Sequence, residues 1–501
     1  MASAFLTLLA GAIVLLCFYL YRTYTYWQRN GIPVAKGYLP IAGHILSVIF
    51  MRRSIKDVIQ KIYDDHKQHS MVGFYKTTKP VLIVREPALV KVVMQSKFSN
   101  FHQNGMKIEP DMDPLLAKNP FFIYGEEWSA GRKRLTYAFS NVRLKTLFTA
   151  VSGVCKKFED FLNRRLKSSN KYEVELKYLF SKFTGEVVAN AGLGIEGLCF
   201  EDKVHPNAFD EISRSIFKPN ALQGFLTMIM LFLPHLNRLF KMSFIPKEMD
   251  RFFRRIVAEN LELRRTESVP RNDFLQLMIE LEKSGEKLDV DSITSHALSF
   301  YVDGIESSSI TLSFIGYHLA LHTDIQEKLR DEVNAKIAKY DGVLTFDALK
   351  EMTYMEQVIS ESQRDFPVLT SLHKICTKEF ELQGSDGLTF RAKPGNEILI
   401  PVYALQHDPK YWTNPDDFDP ERFNEERKHS IEKMTFLPFG EGPRICVGMR
   451  MAMLQMKACL AALLRSYKIE LSPKTKRPIK LSLSYFLPSP VGGIWVYLSK
   501  L

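Results

Sequence analysis

The apolar pattern changes character several times along the chain. From Ala2 to Tyr21, twenty successive residues carry no charge, and as a helix such a run spans roughly 30 Å, the thickness of a bilayer core. The stretch "RNGIPVAKGYLPIAGH" (29–44) follows, with Pro33, Pro40 and three glycines, and it predicts a stiff, irregular linker. Residues 71–85, "MVGFYKTTKPVLIVR", predict two short strands around a polar turn. From about 86 to 365 most segments repeat apolar residues at helical spacing, with Pro and Gly breaks between them. Strand-like text returns near 379–402 and 480–499. No internal repeat and no further linker is legible. The pattern therefore predicts a membrane anchor over 1–22, a Pro/Gly linker over 23–44, and one large domain over 45–501, mainly α with small β-sheets.

Two stretches break this pattern. Residues 221–234, "ALQGFLTMIMLFLP", form a second apolar run, too short to span a bilayer. It reads either as a core helix or as a helix–loop dipping into the membrane beside the anchor. Residues 301–309, "YVDGIESSS", sit inside an apolar stretch that otherwise reads as a buried helix. Asp303 and Glu306 are costly to bury unpaired, and Gly304 weakens a helix interior by about 1 kcal/mol relative to alanine. Either a helix ends here or a site is being built.

The composition, 46% apolar and 25% charged, is that of a globular protein. An excess of 67 basic over 56 acidic residues, +11 in net charge, favours an anionic membrane surface, an acidic protein partner or nucleic acid. No cluster of Lys and Arg interleaved with aromatics selects nucleic acid, so that class is set aside. At the anchor no Lys or Arg precedes the apolar run, while Arg22, Arg29 and Lys36 follow it. A cleaved signal peptide has a basic start and a shorter apolar run; an uncleaved anchor with the body in the cytosol fits better.

The six cysteines, at 17, 155, 199, 376, 446 and 459, show no CxxC pair and no disulfide framework. Five of them read as reduced thiols behaving as small hydrophobes. "GLGIEG" (192–197) has the glycine spacing of a dinucleotide-binding turn but lacks the flanking strand and βαβ context. His66 and His69 share a helical face among solvent-type residues, which is a poor metal site.

Cys446 is different. In "FGEGPRICVG" (439–448), Gly440, Gly442 and Pro443 predict a tight loop, and the apolar-patterned "MRMAMLQMKACLAALL" after it predicts a helix. Cys446 then lies where a loop turns into a helix, and backbone N–H groups and the helix dipole there favour thiolate over thiol. At this stretch the chain resembles the cytochrome P450 superfamily, whose haem-binding loop runs Phe-x-x-Gly-x-Arg-x-Cys-x-Gly; Phe439, Gly442, Arg444, Cys446 and Gly448 fill every fixed place.

Further marks of the family follow the same order. "ESQR" supplies Glu361 and Arg364, and "FDPERF" supplies Arg422. The resemblance implies that these three form a buried structural ion network behind the haem loop. "WSAGR" gives Trp128 and Arg132, which by resemblance bind a haem propionate. The likeness covers about residues 30–501 and is greatest to insect microsomal members of the detoxifying clan.

The resemblance implies haem b as cofactor, with Cys446 as axial thiolate. It also implies monooxygenation of a lipophilic small molecule, xenobiotic or endogenous lipid or hormone. Electrons would come from NADPH–cytochrome P450 reductase, with cytochrome b5 as a second partner, at the endoplasmic reticulum membrane. Substrate contacts are expected from 98–127, 205–245, 301–309, Val368–Leu372 and the turn near Tyr485–Phe486.

Two other readings stay open: a haem–thiolate isomerase or dehydratase acting on peroxides without a reductase, and a non-catalytic haem or lipid carrier. The family's oxygen-activating helix typically runs Ala-Gly-x-(Asp/Glu)-Thr-(Thr/Ser). Here Asp303 replaces the alanine and Ser307 the threonine, while Gly304 and Glu306 keep their places. By resemblance Glu306 and Ser307 supply the acid and hydroxyl that protonate bound oxygen, and Gly304 loosens the helix where O2 fits. Lys374 stands where a propionate-binding arginine is common. Asp303 lies one helical turn before Ser307, on the same face. It either rotates into a hydrogen-bonded groove or contacts a substrate hydroxyl or amine, or assists proton relay.

Overall fold

The computed structural model describes every residue except 1, 168, 218–220, 234–240, 267–270, 287 and 484–486. The first apolar run forms a helix, Ala2–Tyr24, exposed along nearly its whole length. It is long and apolar enough to cross a membrane. Its end is tied to the body at once. Trp27 is buried and donates its indole N–H to the Phe74 carbonyl at 3.1 Å. The strand passes so close that a Cβ at Gly73 would run into the Trp27 ring.

Ten strands are present among the described residues: β1 (Met71–Lys76), β2 (Lys79–Val84), β3 (Gln103–Asn104), β4 (Tyr172–Glu175), β5 (Leu372–Ile375), β6 (Phe380–Gln383), β7 (Thr389–Ala392), β8 (Glu397–Ile400), β9 (Tyr467–Leu471) and β10 (Trp495–Lys500). They form a five-stranded sheet in the order β1-β2-β8-β5-β3, a three-stranded sheet β4-β10-β9, and the hairpin β6-β7. The β1–β2 hairpin is the one the alternation at 71–85 predicts, with Met71 opposite Val84 and Lys76 opposite Lys79. The larger sheet brings chain-distant segments together: β5 carries Lys374 opposite Asn104 of β3.

The rest is mainly helical. The longest element is the central helix Val290–Leu321, whose N-cap Asp289 accepts from Ser292 N–H at 2.7 Å. It packs on the helices Leu176–Val187, Lys247–Thr266 and Thr353–Asp365, and on Met449–Ser466. With neighbours on almost every side it buries apolar residues all round, so no single apolar stripe marks it in the sequence. The helix runs unbroken through residues 301–309. No helix ends there, and the polar residues are part of a site.

The second apolar run gives the helix Ala221–Phe232. Met228 is buried against the sheet-side core, while Leu226, Thr227 and Met230 line the large cavity described below. Leu222 and Leu226 are also exposed, and Phe225 stacks on the exposed Phe50. The run is thus both a core helix and a wall between cavity and surface.

Candidate active site

The loop before Met449–Ser466 is held by backbone geometry. Gly442 has φ of +72°, and a Cβ there would strike the Met94 carbonyl, so glycine is required. The Cys446 N–H donates to the Phe439 carbonyl at 2.9 Å, closing the turn. Gly448 is the N-cap of the helix. Cys446 therefore presents its Sγ to a cavity of about 800 Å³ alongside the middle of the central helix.

The thiol in this setting is not acidic. Burial pushes it up to about 11, the backbone N–H groups of Gly448 and Met449 and the Arg132 guanidinium pull the other way, and Asp303 adds to the rise. The backbone N–H groups at the helix start act in the expected direction, toward thiolate, and desolvation outweighs them. A coordinated cation would supply the missing stabilisation.

Three cations converge on the same cavity. Arg444 donates to the carbonyls of Pro120 at 3.0 Å and Ile123 at 2.8 Å, stacks over Trp128 with its guanidinium carbon 4.3 Å from the ring centre, and leaves Nε buried without a partner. Arg132 donates to the Ile445 carbonyl. Lys374 donates to Asn104 Oδ1 at 2.7 Å. Among the described residues no carboxylate pairs with any of the three. The strain is visible in their acidities: burial, then Arg444, lowers Lys374 to about 7, and burial, then Arg132, lowers Arg444 to about 10. Buried cations without counter-charge are expensive, and this group is arranged to receive an anion carrying more than one carboxylate. A thiol on one wall, an apolar slot between, and cations with an indole at the edge suit an iron porphyrin bearing two propionates.

Across the cavity stands the polar face of the central helix. Asp303, Gly304, Ser307, Ser308 and Thr311 all line it, as spacings of three and four residues require. Ser307 donates to the Asp303 carbonyl at 2.6 Å, and Thr311 to the Ser307 carbonyl at 2.9 Å. Asp303 opens into the cavity yet is enclosed by protein; burial raises its carboxyl to about 6, partly offset by Asn119, whose Nδ2 donates to Oδ2 at 3.0 Å.

Glu306 is not on this face. It is buried and ion-paired with Lys177 of the helix Leu176–Val187. Burial raises its carboxyl and Lys177 lowers it again. Residues 306 and 307 lie about 100° apart around a helix, and of the two the cavity takes only Ser307. Gly304 lines the cavity with Asp303 and Ser307. The Gly304 carbonyl accepts from Gln455 at 3.1 Å, and the missing Cβ makes room for Val188.

Behind the loop, Arg364 grips Glu361 through Nε at 2.8 Å and Nη2 at 2.9 Å, and Arg422 adds Nε at 3.2 Å. All three are buried, and the remaining guanidinium N–H groups go to the carbonyls of Gln406, Asp417, Thr413 and Asn414.

The similarity to known proteins matches this geometry. The family model of cytochrome P450 matches residues 33–495. The chain is 31% identical to cytochrome P450 9e2 of Blattella germanica and covers 98% of it, with 99% of this chain aligned. It is 32% identical to probable cytochrome P450 28d1 of Drosophila melanogaster, with 99% of this chain and 98% of that one covered. The chain belongs to the cytochrome P450 family. Cytochrome P450 6a2 of Drosophila melanogaster is 30% identical over 99% of both chains. This is accordingly a P450 monooxygenase of insect type, and the family consists of haem–thiolate iron proteins.

The P450 cavity takes residues from four of the stretches expected to touch substrate, among them Phe121, Met230, Asp303 and Leu369. Tyr485 and Phe486 lie outside the described residues. Sequence reasoning missed Asn119 and Lys177, which hold the two carboxylates. They lie 184 and 129 residues from their partners, and only the folded chain joins them.

Proposed function

We propose that this P450 is a membrane-anchored haem–thiolate monooxygenase of lipophilic small molecules. The observation that carries the reading is the single cavity shared by Cys446, three cations without counter-charge among the described residues, and walls built largely from Phe, Leu, Met and Val. Cys446 would ligate haem iron; Arg132, Arg444 and Lys374, with Trp128 stacked on Arg444, would hold the propionates by charge-assisted bonds. Phe439 and Gly448 shape the loop that aims Cys446. The chemistry supplied by bound haem is the reductive splitting of O2, one atom going to substrate and the other to water.

The protein's own contribution is positional and protonic. Ser307 places a hydroxyl on the cavity face, and Glu306 reaches that face only by leaving Lys177. The apolar walls exclude water and select lipophilic molecules. The excess of basic residues supports an acidic reductase, with NADPH–cytochrome P450 reductase as the electron source and cytochrome b5 as a second donor. Arg22, Arg29 and Lys36 after the anchor support a cytosolic body at the endoplasmic reticulum membrane. Leu222, Leu226 and Phe50 on the surface support contact with the bilayer.

The test is the CO difference spectrum of dithionite-reduced membranes. Wild type should show the thiolate-type Soret band, and Cys446→Ala should lose it. Survival of the band in Cys446→Ala overturns the ligand assignment. A normal band with no NADPH-dependent O2 consumption in the presence of reductase overturns the monooxygenase reading.

A further inference from the structure

The cavity is unevenly charged once its edge is accounted for. Arg132, Arg444 and Lys374 form one cationic cluster, the part suited to the propionates. Asp303 is the sole carboxylate among the described residues lining the cavity. Its place is fixed from two sides. The backbone comes from a rigid helix, and the side chain is held by Asn119 Nδ2 at 3.0 Å. Asn119 is itself oriented, because its Oδ1 accepts from Phe121 N–H at 2.7 Å. That orientation spends Asp303 Oδ2 on Asn119. Among the described residues Oδ1 has no partner, and the side chain is open to the cavity.

A lone carboxylate in an apolar chamber, neither ion-paired nor buried in the helix packing, is a poor structural device. Its one bond, to Asn119, occupies only Oδ2. It is a good receptor for one feature of a ligand. We propose that Asp303 makes this P450 select lipophilic amines that are protonated at neutral pH, the ammonium N–H donating to Asp303 Oδ1 while the apolar body packs on the Phe-rich wall. Phe121, Phe122 and Phe300 line the same chamber, and their ring faces add cation–π attraction. Neutral lipophiles bind the same walls without that anchor, so selectivity resides in the charge. Asn119 is a positioning residue in this scheme: it fixes which oxygen faces the ligand.

The proposal rests on the cavity being the substrate site, and the test separates the two. A lipophilic tertiary amine and its uncharged carbon isostere of equal size are compared by equilibrium dialysis against the holoenzyme in membranes. Wild type should prefer the amine on the order of tenfold or more, the scale of a desolvated charge pair. Asp303→Asn should bring the amine down to the isostere while leaving the isostere's affinity unchanged, and Asp303→Glu should restore part of the preference. Equal binding of the two ligands by wild type, or an amine preference that survives Asp303→Asn, overturns the assignment. The wild-type comparison needs no variant to fold. Failure of the haem–thiolate reading would appear separately, as a missing CO band in the same preparation.

Discussion

Two sets of buried charges lie on opposite sides of Cys446, and they are built on opposite terms. Behind the loop, Glu361 meets two guanidinium groups and a backbone N–H, Asp419 N donating at 3.0 Å, and the arginines spend their other N–H groups on carbonyls. Every charge there is answered within the chain. In the cavity, among the described residues, Arg132, Arg444 and Lys374 have no carboxylate, and Asp303 has only an amide. The first set is closed and the second is open. A closed network is scaffold; an open one is paired by whatever binds.

Breaking the closed set should produce the largest effect. Glu361→Gln leaves Arg364 and Arg422 buried without counter-charge, which costs on the order of 3–5 kcal/mol. Against a marginal total stability, little folded holoenzyme should accumulate, as measured by CO-binding P450 per unit of expressed chain. A variant that accumulates normally would show that the arginine–carbonyl bonds suffice alone.

Opening the cavity set further should behave in the reverse way. Arg132→Gln removes a cation that nothing in the described chain neutralises, so the unfolding free energy of haem-free protein should stay within about 0.5 kcal/mol of wild type. Haem retention should suffer instead, with transfer to an acceptor apoprotein faster by on the order of tenfold. Equal retention would place the propionates elsewhere.

The contrast also explains what could be read before the structure. The closed network and the Cys446 loop were legible because their residues sit in short, contiguous motifs: "ESQR", "FDPERF" and "FGEGPRICVG". The mainly helical body was legible from spacing, and the β1–β2 hairpin from alternation. The direction each side chain takes around the central helix was not. A helix packed on nearly all sides carries no apolar stripe from which to infer its cavity face. The partners Lys177 and Asn119 therefore went unseen, because pairing across more than a hundred residues leaves no local trace.

Asp303 offers the finest test of the comparison, because its charge should cost stability where Glu361's preserves it. Its carboxyl is raised to about 6 by burial, against about 3.9 for an unfolded aspartate. The folded chain thus holds this proton more tightly than the unfolded one, so stability falls as pH rises from about 4 to about 6 and stays low above. Asp303→Asn does not titrate. It should match wild type near pH ~4 and exceed it at pH ~7, by about 1 kcal/mol once cavity water is allowed for. Urea unfolding at the two pH values measures the difference. A variant less stable than wild type at pH ~7 would put Asp303 with the closed set, its bond to Asn119 outweighing its burial. A more stable one would mark a charge maintained against the fold's interest, which is the pattern of residues kept for binding.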